Sequence, residues 1–127
     1  MKVLDLIIKQ KYFDAIMAGK KVQEFREVRP TTIKKYLQLD EEGFEIEDEK
    51  GNAKPIEYDA IRFFVGYNKG RDSALVEVTS SFCEIFVDEN DEPIEYEYEG
   101  EIWVSEQMVY NLGKILEHNI RDKLNKD

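Results

Sequence analysis

Residues 15–29 read AIMAGKKVQEFREVR, and this stretch decides the fold. Its first residues close an apolar spacing, Tyr12, Phe13, Ile16 and Met17, that is the buried face of a short helix. Gly19 then supplies a natural helix stop, because a residue without Cβ takes the left-handed backbone that ends helices. From 21 to 28 the chain alternates as a strand does. Side chains two apart share a face, so Val22, Glu24 and Arg26 point one way and Lys21, Gln23, Phe25 and Glu27 the other. A carboxylate and a guanidinium on the valine's side predict a partly polar cleft floor. The plainer reading makes Lys20, Lys21, Glu24 and Arg26 a surface ion-pair network of little energetic weight.

The spacing outward from this stretch predicts a strand-rich chain. Residues 3–8 form a short apolar run and read as a first strand, and 11–18 as the helix. Pro30 ends the second strand, having no N–H to give a ladder. Thr31 or Thr32 caps a short helix carrying Ile33, Tyr36 and Leu37 at helical spacing. Residues 40–57 suggest a protruding acidic hairpin turning near Lys50-Gly51-Asn52. Residues 60–67 are strongly apolar and predict a central strand, and the apolar, β-branched run 74–87 predicts another, long or bulged. Two acidic stretches, 94–98 and 102–104, carry too weak a pattern to assign. In the tail, Met108, Val109, Leu112, Ile115, Leu116, Ile120 and Leu124 fit a helical stripe, while 110–116 also reads as a closing strand with a bulge at Gly113. We expect the strand, which covers an otherwise open edge.

A chain of 127 residues with 42% hydrophobic and 12% aromatic content is globular and long enough for one domain, expected over 1–127. No apolar run approaches the roughly 20 residues that cross a membrane, and no signal-peptide pattern appears, so no membrane partner is expected. The lone Cys83 has no disulfide partner, and a reducing, cytoplasmic setting is the simplest reading. The net charge of −10 argues against general affinity for nucleic acid. Its distribution argues otherwise. Residues 1–36 carry nine Lys and Arg against four acids, 37–61 two bases against nine acids, and 82–106 ten acids with no base. Such asymmetry marks a polarised surface or ordinary scatter over a solvated one.

Three segments together, Tyr12-Phe13-Asp14-Ala15-Ile16, Gly19-Lys20-Lys21 and Glu24-Phe25-Arg26, resemble the signature of the ASCH domain family. Val76-Glu77-Val78-Thr79 is similar to a later strand of such domains. The resemblance implies an α+β fold: a small PUA-like β-barrel of ASCH type with one or two short helices packed beside it. It also implies a role in RNA metabolism. One branch of the family hydrolyses the acetyl amide of acetylcytidine, and its catalytic lysine corresponds to Lys21. The branch's catalytic threonine falls at Glu24, and its third member, an acid on a later helix, has no aligned position in this chain.

Other constellations are thinner. Tyr67-Asn68-Lys69-Gly70-Arg71 joins an aromatic, an amide and two cations in one turn, which suits stacking a base and touching a phosphate, or is a plain hairpin turn. His118 is the only histidine and Cys83 the only cysteine, so no zinc cluster and no metal is expected. Cys83, beside Phe82, Ile85 and Phe86, reads as a core residue, and Trp103 as packing. The acidic tracts lack the spacing of a calcium loop and read as solvated faces. No phosphate loop or nucleophile elbow is present, and no cofactor is expected.

The leading expectation is binding of RNA or a modified nucleoside. The ligand residues are Lys20, Lys21, Glu24, Arg26, Tyr67, Lys69 and Arg71. An amidohydrolase with Lys21 and Glu24 as catalytic residues is the first alternative. A protein-interaction module using the acidic segments is the second.

Overall fold

The strand at residues 3–8 forms on a short apolar run interrupted only by Asp5. In the computed structural model, which describes residues 1–120, β1 spans Val3–Ile8 and buries Leu4, Leu6 and Ile8 on one face. Helix α1 follows at Gln10–Met17, then β2 at Gln23–Val28 and a single-turn helix α2 at Ile33–Tyr36. The remaining strands are β3 at Ala60–Val65, β4 at Ser73–Ile85, β5 at Glu95–Tyr98, β6 at Glu101–Val104 and β7 at Glu106–Asn119. The chain is therefore α+β, dominated by strands, with two short helices. The larger sheet has the order β1-β3-β4-β7-β2, and β5 and β6 pair by themselves. β1 lies parallel to β3 in a register that sets Val3 opposite Ala60, and β3 runs antiparallel to β4 with Ala60 opposite Glu77. Among the described residues no closed barrel is found, because β1 and β2 end the strand order.

The contacts divide the chain into two compact units. The first comprises Met1–Gln23, Glu57–Ser80 and the described residues from Asn111; the second comprises Glu24–Ile56 and Ser81–Tyr110. The two long strands β4 and β7 each cross from one unit to the other. In the first unit, Phe13 and Ile16 of α1 are buried, as are Leu4, Leu6, Ile61, Phe63, Leu75 and Val76. In the second, Val28, Ile33, Tyr36, Leu37, Met108, Val109 and Tyr110 form the core, with the rings of Tyr36 and Tyr110 tilted at 6.5 Å.

Helix α1 ends as its glycine dictates. Gly19 has φ +74°, its N–H donates to Ile16 (3.0 Å), and the Lys20 N–H reaches back to Ala15 (2.9 Å). This paired closure satisfies the last carbonyls and turns the chain into the lysines. Thr32 precedes α2, but its hydroxyl accepts from the Arg29 N–H instead of capping the helix. The tail resolves as the long strand β7, with Leu124 of the helical stripe lying outside the described residues.

The acidic segments fold by a rule the sequence repeats three times. Asp40, Asp48 and Asp88 each accept hydrogen bonds from the N–H groups two and four residues on, and each carbonyl accepts from the residue three on. The expected turn near Lys50 is the second of these, and the first, at Asp40, makes 37–56 a meander of three limbs instead of one hairpin. The fourth position is Gly43 or Gly51 in the first two turns and Asp91, at φ 60°, in the third. Replacing Asp91 by Gly removes the Cβ from a left-handed position, so Asp91→Gly is expected to stabilise the protein by roughly 0.5–1 kcal/mol in a denaturant titration.

Candidate functional site

Helix α1 closes at Gly19 and delivers Lys21 to a cavity of about 300 Å³ within the first unit. Its walls come from Ile16 and Met17 of α1, Val22, Val76 of β4, and Leu112 and Ile115 of β7. The Leu112 N–H donates to the Val22 carbonyl (2.9 Å), which fixes β7 beside the segment after the glycine. Gly113 lies flush with this wall. A Cβ there would stand 2.8 Å from Thr79 Cγ2 and would strike the Glu77 carboxylate, which already accepts from the Lys114 N–H (3.2 Å). The Lys21 ammonium lies 5.7 Å from the centre of the Tyr12 ring, inside cation–π range. The result is an apolar slot with one half-buried cation in its lining. A flat apolar body carrying a negative group suits it.

The other expected site residues fall elsewhere. Lys20 is exposed beside Lys21 and is not part of the cavity wall. Glu24 and Arg26 belong to the second unit and hold each other: Arg26 Nε donates to Glu24 Oε2 at 2.8 Å and Arg26 Nη2 approaches it to 2.6 Å. Glu24 is only 5% exposed, so its face of β2 is the buried one. Arg71 of the first unit lies 4.1 Å over the Phe64 ring and donates to the Gly66 carbonyl (2.9 Å), bracing the β3–β4 turn. Tyr67 and Lys69 project from the same turn, Tyr67 with 83% of its surface exposed, and neither lines the cavity.

Reading by spacing missed a second group of polar side chains. In the second unit, Glu106 at the start of β7 is 6% exposed, beside Cys83 of β4 and Glu45 of the 37–56 meander. Burial, first, and then the hydrogen bond and charge of Glu45 push the Glu106 carboxyl up to about 8. Burial and the same carboxylates also raise the Cys83 thiol, so it stays protonated and unreactive. The expectation of a plain core cysteine is thus corrected: Cys83 is half-buried and lines a cavity with Glu106. The signal available in sequence was slight: one acid, Glu106, preceding the apolar pair Met108 and Val109.

Among the described residues no group of three or more His, Cys, Asp or Glu is placed to hold a metal ion, and no helix is long and apolar enough to cross a membrane. Compared with protein-family models, curated proteins and solved structures, the chain matches none.

Proposed function

We propose that the first unit binds a nucleoside or nucleotide, free or within single-stranded RNA, in the cavity where α1 ends. The observation that carries this reading is Lys21 set in the wall of an apolar cavity of about 300 Å³. A base has a flat apolar body that fits between Ile16, Val76 and Leu112, and its phosphate is matched by Lys21 and the adjacent Lys20. Tyr67, exposed in a turn with Lys69, offers a further stacking surface for a flanking base. An ASCH-type, PUA-like fold belongs to the same proposal; it rests on the helix ending in Gly-Lys-Lys, while the closed barrel it implies is not found among the described residues. Hydrolysis of an acylated nucleoside has no comparable support, since Glu24, at the threonine position, is occupied by Arg26.

Fluorescence anisotropy with a labelled single-stranded RNA tests the reading. Replacing Lys20 and Lys21 together by Ala is expected to weaken binding at least tenfold. It should also flatten the plot of log affinity against log salt by about 1.4, since each lost phosphate contact on a single strand removes about 0.7. Absent binding, or an unchanged slope in a folded variant, overturns the proposal.

A further inference from the structure

The second unit exposes a set of large apolar side chains where β4 ends. The Phe86 N–H donates to the Ser105 carbonyl, the Ile94 N–H to Phe86, and the Ser105 N–H to Ile94, while Val87 bridges Pro93. This small ladder holds Phe86, Val87 and Ile94 at the surface, next in sequence to Ile85, which is 52% exposed. On the β5–β6 hairpin, Ile102 faces Glu97 and is 64% exposed. Of the exposed apolar groups of this unit, Phe82 and Ile85, 44% and 52% exposed, border one cavity and leave its rim uncovered.

Charge says what covers it. Residues 82–106 carry ten acids and no base. Phe82 and Ile85 also line a cavity of about 630 Å³ shared with Glu45, Glu47, Asp48, Glu84 and Glu106, with no Lys or Arg among the described residues of its lining. We propose that this acidic, apolar-rimmed face docks a basic segment of a partner protein, seating its apolar side chains against Phe82 and Ile85 and one lysine or arginine in the cavity. Nucleic acid is excluded by like charge. A free polyamine supplies the cation but leaves the apolar rim bare.

Glu106 gives the docking a signature. The groups facing it are Glu45 from the meander and Cys83 from β4, with Glu84 next to Cys83 and bonded to Gln107 (2.6 Å). Lys50 and Lys54 act on Asp48, in the exposed turn. Without a cation in the cavity, the buried carboxyl keeps its proton at neutral pH. An incoming ammonium or guanidinium favours the carboxylate, and the proton leaves to solvent. Affinity therefore rises with pH, by up to tenfold per unit below about pH 8.

The probe is a labelled twelve-residue peptide alternating lysine and leucine, titrated against the full chain at pH 6 and 7.5, with a glutamate–leucine peptide and spermidine as comparisons. The lysine peptide should bind, tighten severalfold at the higher pH, and lose at least tenfold in the Phe82→Ser/Ile85→Ser variant, whose exposed positions leave the melting temperature near that of the parent. A Glu106→Gln variant should bind without the pH dependence. Equal binding of the glutamate peptide, full competition by spermidine, or indifference to the serine substitutions overturns the proposal. So does self-association of the chain, measured by sedimentation, that the serine substitutions abolish.

Discussion

Glu106→Gln is expected to leave stability nearly unchanged at pH 5 and to raise it by on the order of 3–4 kcal/mol at pH 8. Burial, and after it the neighbouring Glu45, holds the native carboxyl up to about 8, well above the ordinary glutamate value of 4.5. A group whose folded pKa is raised contributes its full stability below the unfolded value, and that contribution is lost as pH climbs through the folded one. Between pH 4.5 and 8 the unfolded chain has released a proton that the folded chain still holds, so the parent loses up to about 1.4 kcal/mol per pH unit. A glutamine carries no proton to lose, and its amide still donates to Glu45. Urea titrations of parent and variant at half-unit pH steps give the curve. Parallel profiles would show that Glu106 titrates as a solvated acid.

The second large effect concerns Glu24. Removing it takes away the carboxylate that Arg26 Nε and Nη2 both contact at a mostly buried position, so Glu24→Ala is expected to destabilise by about 2–3 kcal/mol. That lies below the roughly 3–5 kcal/mol of a fully buried pair, because Arg26 keeps a quarter of its side-chain exposure. Glu27 on the opposite face also pairs, with Arg29 at 2.7 Å, but both side chains are about half exposed. Glu27→Ala should therefore cost less than about 0.5 kcal/mol. Replacing both partners at once, Glu24→Leu with Arg26→Met, should recover most of the loss, since neither charge is then left alone. Equal melting temperatures for the two alanine variants would place Glu24 on a solvated face.

What the sequence showed and what it hid divide along physical lines. Local rules were legible. A short apolar run placed the first strand at Val3–Ile8, Gly19 ended α1, and the two-residue spacing set Glu24 and Arg26 on one face. Three features were not, because each depends on partners far along the chain. The cavity beside Lys21 needs Val76 and Leu112, delivered by strands 55 and more residues downstream. Arg71 has the composition of a phosphate contact, yet the nearby Phe64 ring and Gly66 carbonyl claim it. Glu106 ends a run of ten acids that composition assigns to solvent, and only the long-range pairing of β7 buries it. The repeated aspartate turns were legible in principle. Asp40, Asp48 and Asp88 stand at the same offset before a residue with positive φ, and the third is masked by having Asp91 where the others have glycine.

The cavity beside Lys21 carries the functional account, and amide chemical shifts read it directly. Titrating the full isotope-labelled chain with cytidine 5′-monophosphate should shift the amides of Gly19, Lys20, Lys21, Leu112 and Gly113 together, in one saturable transition. Shifts that are absent at millimolar ligand, or that fall only on residues of the second unit, would contradict a nucleotide site where α1 ends.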